Sequence, residues 1–149
     1  MNEPRMTSRT PQASVILTSH ARPHYVGEAV RSILRQSCTA WELIIVDNGE
    51  HAAVRRVLQP FVARDQRVRL LYGRYANVSE AANAGLRVAR APWVTFQDDD
   101  DVSHRHRLKA CLRLVEARPD VSGVLPQVEV FYDRTARTLQ RRRFISHLK

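Results

Sequence analysis

The chain has 149 residues, 44% of them hydrophobic, which is enough for one domain with a real core and too apolar for a disordered chain. No apolar run approaches the ~18 residues that cross a bilayer, and the polar start, 1–12, has no apolar signal region, so a cytoplasmic protein is expected. A net charge of +9 favours an anionic partner, whether nucleotide phosphate, nucleic acid or an acidic membrane surface.

After the leader, Ser14 to Thr18 is a continuous apolar run, the pattern of a buried parallel strand. Ser19 to Pro23 forms a loop, and Tyr25 to Gln36 places Val26, Ala29, Val30 and Ile33 at helical spacing. The unit repeats. Trp41 to Val46 is a second strand closed by Asp47-Asn48-Gly49, and a helix over Ala52 to Val62 carries Val54, Val57, Leu58 and Phe61 on one face. Val68 to Tyr72 is a third strand. Asn77 with Glu80 three residues on forms a capping box that opens an Ala-rich helix to Ala89, where Ala81, Ala82, Ala84 and Gly85 permit close backbone approach.

Trp93 to Phe96 then reads as a buried central strand that ends in four acids, Asp98-Asp99-Asp100-Asp101. Acidic runs are usually solvated turns. This one directly follows a strand, where open α/β sheets place ligands, and four adjacent carboxylates repel one another unless water, basic groups or a hard divalent cation offsets them. Ser103 is placed to cap a helix to Ala117 with Leu108, Cys111, Leu112 and Val115 inward. Val121 to Tyr132 is strand-like with a bend at Pro126. The two cysteines, Cys38 and Cys111, lack metal-type spacing, and Cys111 falls on an apolar helix face. The organisation expected is a leader over 1–12, one folded domain over 13–133 and a basic, solvated tail over 134–149 containing Arg141-Arg142-Arg143.

Alternating strands and helices imply an α/β fold, a mostly parallel sheet covered on both faces, in which the strand ends at Thr18, Asp47 and Asp98 converge on one edge. The runs Ser14 to Ser19, Ser32 to Ser37, Trp41 to Gly49, Asn83 to Leu86 and Asp98 to Asp101 resemble, in order and spacing, the family 2 inverting glycosyltransferases of GT-A fold, closest to the bacterial spore-coat polysaccharide type. The resemblance covers Ala13 to Tyr132, the donor-binding half only. It implies a nucleoside-diphosphate sugar donor, UDP- or dTDP-linked, and Mn²⁺ or Mg²⁺ bridging its phosphates. It implies that Thr18, Ser19, His20, Asp47, Asn48, Asn83, Asp98 and Asp99 contact the donor, with His20 where an aromatic residue often stacks. It also implies that Asp98 and Asp100 ligate the metal in an Asp-X-Asp arrangement.

Some positions depart from the family pattern: Ala21 stands where Asn is usual, Asn48 where a second Asp is common and Ala82 where an Arg often reaches the nucleotide. After Glu116 the acids are Asp120, Glu129 and Asp133, and none matches the carboxylate that takes the acceptor hydroxyl's proton. Two other readings follow: a truncated, catalytically incomplete nucleotide-binding module completed by a partner chain or a second copy, and a basic nucleic-acid-binding protein. The acids at the proposed site disfavour the latter. His104 and His106 beside the acidic run read as surface residues in a helix's first turn.

Overall fold

The structure is a computed structural model that describes residues 10–133 and 140–145. Four strands, β1 (Ala13–Ser19), β2 (Trp41–Asn48), β3 (Val68–Gly73) and β4 (Trp93–Asp98), form one sheet in the order β3-β2-β1-β4, with every pairing parallel. Helices α1 (Pro23–Leu34), α2 (Ala52–Arg64), α3 (Val78–Arg87) and α4 (Arg107–Ala117) supply the crossovers and cover. A second, three-stranded sheet has the order β5-β7-β6, from β5 (Val102–Ser103), β6 (Val128–Asp133) and β7 (Gln140–Ile145).

The parallel sheet is covered on both faces at its two inner strands because their middle positions, Val15 to Leu17 and Leu43 to Val46, are apolar in both parities. Val15, Leu17, Leu43 and Ile45 meet α1, α2 and α4 through Val26, Val30, Leu58 and Leu108, while Ile16, Ile44 and Val46 meet Ala81 of α3 on the other side. The small face of α3 is needed there: a Cβ on Gly85 would stand 2.7 Å from Ile16 Cγ2 and 3.2 Å from Val46 Cγ2. Asn77 does cap α3, its Oδ1 accepting from the Glu80 amide at 2.9 Å, but the Glu80 carboxylate turns back to the amide of Ala76 rather than of Asn77.

One charge lies inside this frame. Glu42 on β2 is 1% exposed and accepts from Ser14 Oγ (2.7 Å), the Arg90 amide (2.7 Å) and Arg90 Nε (2.9 Å), with Arg69 Nη1 at 3.4 Å. Burial alone would raise its pKa, but these hydrogen bonds and the Arg90 charge outweigh burial and hold the carboxyl below its ordinary range. The network joins β1, β2, β3 and the turn that launches β4.

The expected central strand is an edge strand among the described residues. β4 pairs only with β1, so its other side has no ladder partner within the sheet, and Phe96 is 53% exposed. Ser103 does not cap α4. It lies in β5, its hydroxyl donating to Gln97 Oε1 at 2.7 Å, and α4 starts four residues later with His106 at the N-cap position. His104 and His106 therefore precede the helix rather than occupy its first turn. Part of the basic segment expected as a solvated tail is β7, whose backbone pairs antiparallel with β6 and parallel with β5. Ladder hydrogen bonds are made by the main chain, so a run of arginines does not prevent them. The rest of that segment and most of the leader lie outside the described residues. Among the described residues no helix is long and apolar enough to cross a membrane.

Candidate active site

The parallel register brings the carboxyl ends of three strands together. Ser19 of β1 lies beside Asp47 of β2, and Thr18 beside Asp98 of β4. At this edge a cleft of about 890 Å³ is lined by Thr18, Ser19, His20, Arg22, Asn48, Tyr75, Ala76, Asn77, Val78, Ala81 and the four acids Asp98 to Asp101. It is the crevice that an open α/β sheet makes where its strand order reverses, here with β2 and β4 on opposite sides of β1.

The four acids do not act alike. A tight turn follows β4, the Asp101 amide donating to the Asp98 carbonyl at 3.2 Å. It gathers one carboxylate oxygen each from Asp98, Asp100 and Asp101 within 4.8 Å of one another. Asp99, 4% exposed, points the other way and ties down the β1–α1 loop: its Oδ2 accepts from Ser19 Oγ (2.9 Å) and the His20 amide (3.2 Å), and its Oδ1 lies 3.3 Å from Arg22 Nη1. Burial raises the Asp99 pKa, with the Asp100 charge adding to it, against the opposing pull of those donors.

The turn is held from behind by Arg107, which is 3% exposed. Its guanidinium donates to Gln97 Oε1 (2.8 Å), Ser103 Oγ (2.8 Å), the Phe96 carbonyl (3.1 Å) and Thr95 Oγ1 (2.5 Å), while Gln97 Nε2 donates to the Asp101 carbonyl at 2.8 Å. Burial pulls the Arg107 pKa down and the Asp101 charge pulls it up. A buried cation thus faces the acidic turn from inside the protein.

On the β2 side, Asp47 is fully buried, and neither of its carboxylate oxygens has a hydrogen-bond partner. Burial pushes its pKa up, against the charges of His51 and Arg55 and the amide of His51, none of which meets an oxygen at hydrogen-bond geometry. An orphaned buried carboxylate at a strand end is costly unless a ligand satisfies it. Asn48 spends its side chain locally, Oδ1 accepting from the Tyr75 amide at 2.8 Å, and its carbonyl lies 2.6 Å from His20 Nδ1. Tyr75 is seated directly over Gly73, where a Cβ would come within 2.6 Å of the phenol ring.

The structure therefore gathers Thr18, Ser19, His20, Asn48, Asp98, Asp99 and Asp100 around one cleft. Asp47 lies buried beside it at the same sheet edge, while Asn83 is exposed on α3 and is not among the residues lining the cleft. Ser19 and Asp99 are committed to each other. Three contributors escaped the sequence reading. Asp101 was in plain view, but the Asp-X-Asp spacing pointed to Asp98 and Asp100. Tyr75 and Arg22 carry no motif, and Arg22 meets the acids across 77 and 78 positions of sequence.

A divalent cation suits the residues present. The donor set is three carboxylates, the hard oxygen ligands that Mg²⁺ and Mn²⁺ take, and the guanidinium of Arg22, 2.7 Å from Asp100 Oδ2, already stands in as a cation.

Comparison with known proteins agrees with this geometry. The chain is 32% identical over 114 residues to TuaG of Bacillus subtilis (strain 168), a glycosyltransferase named for teichuronic acid biosynthesis, covering 76% of this chain and 45% of TuaG. Its fold is similar to that of S. aureus TarS 1-349, with a TM-score of 0.68 at 18% identity over 78% of this chain and 38% of that one, a protein also solved with UDP and with UDP-GlcNAc. It is similar too to the mannosyltransferase PcManGT from Pyrobaculum calidifontis in complex with GDP-Man and Mn²⁺, with a TM-score of 0.65 at 16% identity over 81% of this chain and 35% of that one. The chain spans less than half the length of each. These neighbours place the fold in the GT-A class. The family description "Glycosyl transferase family 2" matches residues 14–148, so the chain belongs to glycosyl transferase family 2.

Proposed function

We propose that this chain is the donor-binding part of a metal-dependent, inverting glycosyltransferase that takes a nucleoside-diphosphate sugar, UDP- or dTDP-linked, and serves transfer to a hydroxyl acceptor. The observation that carries the reading is the convergence of the Asp98, Asp100 and Asp101 carboxylates within 4.8 Å at the mouth of a cleft on the carboxyl edge of a parallel sheet. TarS solved with UDP-GlcNAc and PcManGT solved with GDP-Man and Mn²⁺ support it.

In this reading Asp98, Asp100 and Asp101 hold Mn²⁺ or Mg²⁺, which when bound neutralises the diphosphate and the charge that grows on the leaving group. The nucleoside lies between the β1–α1 loop, with Thr18 and His20, and the wall formed by Asn48 and Tyr75. Asp47, whose oxygens have no partner inside the protein, accepts from the N–H edge of the base. Asp99 holds the β1–α1 loop in place rather than touching the donor.

A second reading has one observation in its favour. Among the described residues lining the cleft, the only carboxylates are Asp98 to Asp101, and an inverting transfer needs another base for the acceptor hydroxyl. The 149 residues would then bind donor without transferring its sugar, the base coming from a partner chain or a second copy. Calorimetric titration with UDP, dTDP and GDP, with and without Mn²⁺, tests the leading proposal. Metal-dependent binding of UDP or dTDP is expected, and no metal-dependent binding of any of them would remove it. Sugar transfer by the purified chain alone would remove the second reading.

A further inference from the structure

We infer that Arg22 is an exchangeable counter-ion of the donor site: it neutralises Asp100 while no ion is bound there, and it passes to the donor's phosphates when a divalent cation takes that carboxylate. The inference rests on the reading of the Asp98–Asp101 turn as the metal site.

A single atom, Nη1 of Arg22, serves two acids, lying 2.7 Å from Asp100 Oδ2 and 3.3 Å from Asp99 Oδ1. The two acids differ in burial. Asp99 is buried and has Ser19 and His20 as further donors, so it keeps its place if the arginine leaves. Asp100 is 28% exposed and belongs to the trio whose oxygens converge. The Arg22 side chain is 53% exposed, so its ion pair is solvated and holds the guanidinium only weakly. Its backbone, by contrast, is firmly placed. Ala21 adopts φ 55°, a left-handed conformation rare for a side chain with a Cβ, and Pro23 starts α1 immediately afterwards. A fixed root and a free tip, on a residue that lines the cleft, are what a group needs to move between two anionic partners.

Charge gives the exchange its direction. Before donor arrives, a guanidinium on Asp100 and a divalent ion on the same carboxylate repel each other, so Arg22 opposes binding of metal alone. Once a diphosphate is present, its oxygens offer the arginine a bidentate partner at least as good as the one it gives up. Arg22 therefore weakens affinity for bare metal and strengthens affinity for nucleotide with metal.

Those opposite signs make the test. Mn²⁺ binding is followed by electron paramagnetic resonance of the free ion, first with Mn²⁺ alone, and UDP and GDP binding is then measured by calorimetry at saturating Mn²⁺. Arg22→Ala is expected to bind Mn²⁺ alone about two- to five-fold more tightly than wild type, the range set by one exposed ion pair, and to bind the nucleotide several-fold more weakly. Arg22→Lys, which keeps the charge, restores the wild-type Mn²⁺ affinity. Arg118→Ala, which removes an equal charge from an exposed pair with Asp120 at the C-terminal end of α4, leaves both affinities unchanged. Mn²⁺ binding that is present but equal in wild type and Arg22→Ala overturns the role of Arg22 alone. No Mn²⁺ binding by either protein overturns the metal site and this inference with it. Circular dichroism of each variant confirms that the fold is retained, as an exposed side chain predicts.

Discussion

At the scale of single residues, neighbouring aspartates separate into different jobs by what surrounds them. Asp100 stands at the rim, and its loss removes a charge rather than packing, so Asp100→Asn is expected to leave the thermal midpoint almost unchanged while abolishing Mn²⁺ binding. Asp99→Ala does the reverse work on stability. It strands a buried hydroxyl on Ser19 and the His20 amide, a loss of about 1–3 kcal/mol that thermal unfolding would read as a fall of several degrees. Equal effects of the two substitutions on unfolding would contradict the division. Asp47 makes a third case. A buried carboxylate without partners costs stability at neutral pH, so Asp47→Asn should raise the midpoint of the ligand-free protein and weaken nucleotide binding. The sign with pH follows from its raised pKa: the native protein holds that proton longer than the unfolded chain, so the penalty is absent in acid and grows as pH rises through the folded value. The gain from Asp47→Asn should therefore be present at pH 7 and shrink on acidification, as unfolding scans at several pH values would show.

At the scale of elements, α3 and β2 carry the sharpest expectations. Gly85→Leu drives a side chain into Ile16 and Val46, where even a Cβ has no room, and should cost about 1–3 kcal/mol or more in denaturant unfolding. Glu42→Ala leaves the buried Ser14 hydroxyl and the Arg90 amide without their shared acceptor near the amino end of the inner strands, while the arginine side chains stay partly solvated, and a loss of about 1–3 kcal/mol is expected. Because the folded Glu42 pKa is depressed, its contribution is complete above the unfolded value and disappears as pH falls through the folded one. The acid limb of the wild-type stability curve should flatten in Glu42→Gln.

The elements also show what the sequence could and could not reveal. β1 and β2 were legible because strands buried on both faces read as unbroken apolar runs, and the Asn77–Glu80 cap marks its helix within four residues. The Ser103 cap was misread because a cap signal is local, whereas the hydroxyl is claimed by Gln97 and Arg107. β4 looked central because its composition matches an inner strand, yet a strand's place in a sheet is set by its neighbours. β7 was hidden by its charge. In the site, positions at strand ends were readable from register logic alone, and Arg22, Tyr75 and Arg107 were not, because their roles arise from contacts between distant segments.

At the scale of the whole molecule, the parts form one arrangement: a rigid parallel sheet supplies the edge, a turn pinned by Gln97 and Arg107 presents three carboxylates, and the β1–α1 loop is fastened to Asp99 across the cleft. The chain's +9 charge, which alone suited nucleic acid as well as phosphate, goes with an acidic cleft mouth, and that combination favours an anion carried on a metal ion over a bare polyanion. The measurement that addresses this most directly is an anomalous-scattering map from crystals grown with Mn²⁺ and UDP. A manganese peak enclosed by the Asp98, Asp100 and Asp101 carboxylates, with diphosphate density beside it in the cleft, is the predicted result. A map with no peak there and UDP bound elsewhere on the molecule would contradict the account.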